Sequence, residues 1–249
     1  MSSPLSDPFD FTVLIPLYNE ESSLIPSVHR LLEFFVRHGL RGRIILGSNG
    51  STDHTVLVGE LLEDSYPEIV RFFHTETRGA VGDVFRKAVD LASSPILISM
   101  DIDLSVDVDF ILESLALLES HEIVLGSKQS GYQLRSVWRR LGSGVFLLCA
   151  RLLLQLPYND YSLGAKAYRL DSIRPWLDRL SADTNYVLDL VYQCHHARMP
   201  IVLLPVACVD WRKSRFSLIR EAIVRFSHLF DLWFRHHLHR NRNSPGGCS

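Results

Sequence analysis

The stretch "SPILISMDIDLSVDVDF", Ser94 to Phe110, decides how the chain is read. An apolar run, Ile96 to Met100, ends in two carboxylates, Asp101 and Asp103, and two more follow at Asp107 and Asp109. Such a run, with no polar alternation, reads as a strand buried on both faces. Positions i and i+2 of a strand face the same way. Asp101 and Asp103 fall where strand becomes loop, so they can converge at the ligand edge of a sheet. A carboxylate pair there can bind a hard divalent cation, do acid–base work, pair with Arg or Lys, or belong to a solvated loop. Mg2+ and Mn2+ prefer oxygen ligands and are often held by one or two carboxylates plus substrate phosphates.

Outward from that stretch, the first half of the chain alternates. Strand candidates are "FTVLIPL", "RIILGS", "VRFFHT", "ILISMD" and "EIVLGS". Helical stripes lie between them: Leu24, Val28, Leu31, Leu32 and Phe35; then Val56, Leu57, Leu61 and Leu62; then Ile111, Leu115 and Leu118. The pattern predicts an α/β fold, a mostly parallel central sheet with helices on both faces. Ligands of such sheets sit at the carboxyl ends of the strands. In the second half, "SVWRRLGSGVFLLCARLLLQLP" reads as a long apolar helix broken by Gly142 and Gly144, "TNYVLDLVYQCHHAR" as another helix and "IVLLPVACVDW" as a strand.

The 249 residues suffice for one large α/β domain or two small ones. A net charge of -2 argues against a nucleic-acid binder. Cys149, Cys194, Cys208 and Cys248 are far apart and form no Cys-x-x-Cys pair, so neither a zinc framework nor a disulfide scaffold is expected. "MSSPLSDPFDF" has no positive region followed by an apolar one, and no run of about 18 apolar residues occurs. The expectation is no signal peptide, no membrane-spanning helix and a cytoplasmic location.

Three loops fall on one sheet edge: "PLYNEESSL" after the first strand, "SNGSTDHT" after the second and "MDIDLS" after the fourth. With "LGSK", "RSVWRRLGS", "DYSLGAKAYR" and "LPVACVDWRKSRFSL" downstream, this ordered series resembles family-2 glycosyltransferases of GT-A fold. The resemblance is closest to the dolichol-phosphate or polyprenyl-phosphate sugar synthases and covers about residues 11–218, with the glycosyltransferase domain itself expected over residues 11–216. It implies metal-dependent, inverting transfer of a sugar from a nucleotide-sugar (GDP-mannose or a UDP-sugar) to a polyprenyl or dolichyl phosphate. It also implies roles. Pro16, Tyr18, Asn19 and Glu20 would lie along base and ribose, with Ser48, Asn49 and Asp53 in the second loop. Asp101 and Asp103 would bind nucleotide and metal, Mg2+ or Mn2+. Arg139, Arg215 and Lys213 would face phosphate charge, and Asp160 and Asp189 would lie near sugar and acceptor. Asp160 is expected to orient rather than to accept a proton; the plainer reading is a turn or helix cap. Arg78, before Gly79, is a candidate phosphate contact or an ordinary surface arginine.

The sequence also departs from that pattern. Ser48 stands where an acid usually contacts the base, Ser105 where a Gln often helps bind metal, and the third segment keeps only Gly79 and Gly82. These departures leave a non-catalytic nucleotide-sugar or lipid binder as an alternative. A haloacid-dehalogenase-type phosphatase is a weaker one, because that fold places its Asp-x-Asp strand early.

Residues 217–240 read as one amphipathic helix, with residues 1–10 an N-terminal extension and 241–249 a disordered tail. Ile219, Ala222, Ile223, Phe226, Leu229, Phe230, Trp233 and Phe234 recur at three and four. Between Arg212 and Arg242 eight Lys or Arg face two acids, a basic bias that suits either a membrane surface or a solvated face. The expected partners are nucleotide-sugar, lipid phosphate, the inner face of a membrane and a separate membrane-anchor subunit.

Overall fold

Strand and helix alternate as the apolar pattern predicts. The computed structural model describes residues 9–128, 137–208 and 218–242; for residues 137–141, 218–222 and 236–242 the backbone alone is described. Arg215 and Lys213, and the side chain of Arg139, lie outside the described residues, as does the tail from residue 243.

The elements are β1 (Phe11–Leu17), α1 (Glu21–His38), β2 (Gly42–Asn49), α2 (Thr55–Ser65), β3 (Val70–Thr75), α3 (Val81–Leu91), β4 (Ile96–Ser99) and α4 (Phe110–Leu117). They continue with β5 (Ile123–Lys128), α5 (Val137–Leu154), β6 (Lys166–Arg169), α6 (Leu170–Ile173), α7 (Tyr186–His196), β7 (Ile201–Val206) and α8 (Leu218–Arg242). The chain divides into two compact units, one holding the sheet and the other made of residues 132–159 and 211–249.

In the first unit the seven strands run in the order β3-β2-β1-β4-β6-β5-β7. All neighbours are parallel except those of β6, which runs antiparallel to both β4 and β5. Central strands are apolar throughout because helices cover both faces; Val13, Leu14, Ile15, Ile44, Ile45, Leu46, Leu97 and Ile98 are fully buried. Pro16 is tolerated in a central strand because β4 pairs with β1 only as far as Leu14↔Ser99.

Helix α1 buries the expected stripe, Leu24, Val28, Leu31 and Phe35, and stops at Gly39, whose φ of 63° is the left-handed cap that glycine adopts freely. In α2 only Leu62 of the expected stripe is buried. Leu57 and Leu61 are exposed, and Thr55, Gly59 and Leu62 face inward. The cause is Gly59, where a Cβ would meet the Phe72 ring at 2.3 Å, so helix and strand approach along the one residue without a side chain.

Among the described residues the helices of the second unit are α5 and α8, and α5 runs unbroken through Gly142 and Gly144, where the sequence suggested a break. Phe146, Ala150 and Leu154 of α5 are buried, as are Leu229 and Leu232 of α8, and Phe146 meets Phe226 edge-on at 5.6 Å. The single apolar face expected of α8 is two rows: Ile223, Phe230 and Phe234 remain exposed. On α5, Val145, Leu148 and Leu152 do the same. Among the described residues no helix is long and apolar enough to cross a membrane.

Candidate active site

The loops at the carboxyl ends of β1, β2 and β3 are tied to one another by their own polar groups. Asn19, at φ 53°, takes the Thr52 N–H on Oδ1 at 2.8 Å, and its own N–H goes to Ser51 Oγ at 3.1 Å. The Glu20 N–H is bonded to Thr55 Oγ1 at 2.7 Å. Asn49, nearly buried, donates to the Leu17 carbonyl at 2.8 Å and accepts from the Gly79 N–H at 3.1 Å. It therefore joins the end of β1 to the loop after β3. Gly50, at φ 67°, lets the Arg78 backbone approach; a Cβ there would stand 2.7 Å from Arg78 N. The Arg78 guanidinium lies over the Tyr18 ring at 4.5 Å.

Asp53 serves two helix starts. It accepts from Thr55 Oγ1 at 2.5 Å, from Thr55 N at 3.0 Å and from Glu21 N at 3.4 Å. Burial pushes its carboxyl up, but these donors together outweigh burial and hold it below the usual range.

The fourth strand delivers the acidic corner. The Met100 N–H still bonds to Leu14 O at 3.0 Å, after which the chain turns, with Leu104 N bonded to Asp101 O at 3.0 Å. Leu104 adopts φ 47°, a conformation strained for a leucine, and its buried side chain helps hold it there. Asp103 Oδ1 accepts the Ser105 N–H at 3.0 Å. Beyond, Val106 bridges to Cys208. The second acidic pair is occupied otherwise: Asp107 pairs with Arg30 at 3.0 Å and takes the Asp109 N–H at 3.1 Å.

Asp101 itself is open to solvent yet crowded by protein. Loss of surrounding water raises its carboxyl above the usual range, and repulsion from Asp103 adds to this. Lys166, the Gly164 N–H at 3.2 Å and Lys128 pull the other way. Gly164 is required by this approach, since a Cβ there would sit 2.3 Å from Asp101 Oδ1. Lys166 is almost fully buried and donates to the Leu163 carbonyl. Nearby Tyr186 is buried and bonded to Ser99, and its ionisation is further opposed by Asp101.

Two hard carboxylates held close enough to repel each other suit a divalent cation, which would relieve that repulsion. Among the described residues no cluster of three or more His, Cys, Asp or Glu offers a complete metal cage. The remaining ligands would therefore come from substrate oxygens, as is usual for Mg2+.

Of the residues the sequence pointed to, Pro16, Tyr18, Asn19, Glu20, Ser48, Asn49, Asp53, Arg78 and Gly79 lie on the laced ends of β1–β3, and Asp101 and Asp103 adjoin on the loop after β4. Asp160 is a turn residue. Its Oδ1 accepts Ser162 N at 2.8 Å, Ser162 Oγ at 3.0 Å and Leu163 N at 3.1 Å, which shapes the approach to Gly164. Asp189 is buried in α7 and accepts the Ser181 N–H at 2.7 Å. The segment it holds packs on the start of α3, where the Gly82 N–H bonds to Ala182 O at 2.7 Å. Lys128, Gly164 and Lys166 were missed as site residues. They lie inside "LGSK" and "DYSLGAKAYR", motifs that carry the family resemblance but that gave these three residues no role of their own.

The chain belongs to glycosyl transferase family 2, whose pattern matches residues 12–174. The fold is that of GT-A glycosyltransferases. Among solved structures, glucosyl-3-phosphoglycerate synthase from Mycobacterium tuberculosis, in complex with Mn2+, UDP-glucose and phosphoglyceric acid, superposes with a TM-score of 0.62. That match is 17% identical and covers 89% of this chain and 79% of the other. Among curated relatives, dodecaprenyl-phosphate galacturonate synthase of Rhizobium johnstonii is 24% identical over 176 residues, 66% of this chain and 49% of its own. Undecaprenyl-phosphate 4-deoxy-4-formamido-L-arabinose transferase of Pseudomonas savastanoi pv. phaseolicola is 27% identical over 160 residues, 64% and 47% of the two chains. The chain thus spans about half the length of the curated relatives it matches.

Proposed function

We propose that this chain transfers a sugar, with inversion, from a GDP- or UDP-sugar to a polyprenyl or dolichyl phosphate at the cytoplasmic face of a membrane. The observation that carries the reading is the acidic corner, Asp101 and Asp103, placed beside the loops of β1–β3 in a family-2 chain. The names of both curated relatives, a dodecaprenyl-phosphate synthase and an undecaprenyl-phosphate transferase, support the acceptor class.

Asp101 and Asp103 would hold Mg2+ or Mn2+, which supplies positive charge to the diphosphate leaving group. The chain's own residues do the rest. The loops of β1–β3 seat the nucleotide, with Pro16, Tyr18, Asn19 and Glu20 along base and ribose and Ser48, Asn49, Asp53, Arg78 and Gly79 beside them. Lys128 and Lys166 hold Asp101 toward its charged form against burial. The attacking group needs no strong base, because the second ionisation of a phosphate monoester has a pKa of roughly 6. What the site must do is bring two anions together and orient them. Asp160 fits an orienting role, since one of its oxygens is already spent on a turn. Asp189 acts through the segment it anchors; Arg139, Arg215 and Lys213 are proposed as cations for phosphate from the sequence alone. The exposed rows on α5 and α8, Leu148, Leu152, Ile223, Phe230 and Phe234, with basic residues around them, suit a membrane surface. A separate membrane-anchor subunit is a further proposed partner.

A second reading, a binder that holds donor or lipid without turnover, is favoured by Ser48, which is fully buried where an acid would be expected. A panel of nucleotide-sugars with polyprenyl phosphate and Mn2+ or Mg2+ separates the two. Transfer by the native chain, lost in Asp101→Ala/Asp103→Ala, supports the enzyme. Transfer undiminished in that double variant overturns the role of the corner, and donor binding without product in every combination favours the binder.

A further inference from the structure

At the carboxyl ends of the first three strands, Leu17, Ser48 and His74 are register neighbours across β1, β2 and β3. Ser48 is fully buried, so its hydroxyl does not meet a ligand directly. It donates its one proton to Ser51 Oγ at 2.9 Å. Ser51 Oγ also receives the Asn19 N–H at 3.1 Å, which anchors the far end of the relay. His74 Nδ1 lies 3.0 Å from Ser48 Oγ. The serine proton is committed to Ser51, so the proton between the two comes from the ring, as Nδ1–H. A neutral imidazole carries a single N–H, which leaves Nε2 as a bare acceptor. Glu76 Oε1 is 3.8 Å from Nε2, beyond hydrogen-bond reach. The His74 side chain keeps 21% of its surface. The relay thus fixes one ring acceptor on β3, at the strand end followed by the loop that carries Arg78.

We propose that His74 selects the nucleobase of the donor, an inference that rests on the nucleotide-sugar reading above. Nε2 accepts the ring N–H of a base that carries one on its pairing edge, uracil or guanine. It refuses cytosine and adenine, which present a bare nitrogen at that position. Ser48 is a positioning residue, fixing which ring nitrogen carries the proton.

The experiment is calorimetric titration of the full chain with UDP, GDP, CDP and ADP in the presence of Mn2+, together with N3-methyl-UDP. The native chain binds UDP or GDP about tenfold or more tighter than CDP and ADP, and N3-methyl-UDP no better than CDP, the penalty expected for an acceptor left unanswered. In His74→Phe, which keeps the ring's bulk without its acceptor, the preference shrinks below about threefold, while the melting temperature without nucleotide falls only by the few degrees expected for the lost bond to Ser48. Should that variant not fold, N3-methyl-UDP still decides on the native chain, because tight binding of it overturns the assignment. Equal binding of all four nucleotides, or a preference that survives in His74→Phe, overturns it too and leaves the donor reading standing. Binding of none of them overturns both.

Discussion

Gly164→Ala tests the acidic corner without touching an acid. A Cβ at residue 164 would stand 2.3 Å from Asp101 Oδ1 and 2.4 Å from Cγ and Oδ2. Ordinary contact between such atoms is at ~3.5 Å, so the carboxylate has to withdraw by about 1 Å. The obstacle is the end of a side chain, and the neighbouring pairing of Ser99 with Lys166 has no reason to break. The hydrogen bond from the Gly164 N–H, 3.2 Å long, is weakened or lost. That costs ~1 kcal/mol, and letting water back to a crowded carboxylate offsets part of it. The expected stability change is within ~2 kcal/mol, a fall of at most ~8 °C in melting temperature for a chain of this size. Activity should fall much further, since misplacing a group in an active site by ~1 Å costs on the order of a hundredfold. Thermal melting and sugar transfer to polyprenyl phosphate, measured on one preparation, give both quantities. Transfer within threefold of native would refute the reasoning, because the corner would then tolerate a displaced Asp101. Loss of the fold would refute it differently, by assigning Gly164 to backbone packing.

Asp101→Asn should stabilise the chain and silence it. Burial and Asp103 raise the Asp101 carboxyl, so the folded chain keeps this proton to higher pH than the unfolded chain does. Its charge therefore opposes folding at neutral pH, and stability falls as pH climbs through the window above the unfolded value of about 3.9. In EDTA the variant should melt higher than the native chain at pH 7, with the gain vanishing toward acid; a lower melting point at neutral pH contradicts this. Asp107→Ala removes only an exposed pair with Arg30, and should change stability by less than ~1 kcal/mol and leave transfer intact. A large loss of transfer would show that the second acidic pair also serves the site. Leu152→Glu combined with Phe230→Glu should weaken sedimentation with anionic vesicles by about tenfold or more, because two exposed apolar side chains no longer enter the lipid. Unchanged vesicle binding rejects these rows as the membrane face.

The parallel part of the sheet was legible because buried strands such as "TVLIPL" and "RIILG" need apolar residues on both faces. Strand β6 was not. "KAYR" is four residues long and begins with a lysine, and nothing local says that Lys166 is buried. Its burial depends on the Leu163 carbonyl and on negative charge nearby, both fixed by tertiary packing. The same limit applies to α2, where two leucines point outward because the packing face follows Gly59. At the site, residue types identified the acidic corner, but not its neighbours. Gly164 matters through a distance, and His74 through a relay from Ser48 to Ser51 that joins two strands and a loop.

The reversed direction of β6 has a consequence for how the chain assembles as it is synthesised. β1, β2 and β3 and the loops that lace them come from the first eighty residues, so that part of the edge can organise early. The acidic corner cannot. Its floor comes from Gly164 and Lys166, which arrive only when the backbone returns antiparallel to insert between β4 and β5. Closing so long a loop is the slow kind of event in folding. A ribosome-bound fragment ending before residue 160 would therefore carry both aspartates without the lysine and the amide that hold Asp101 in place.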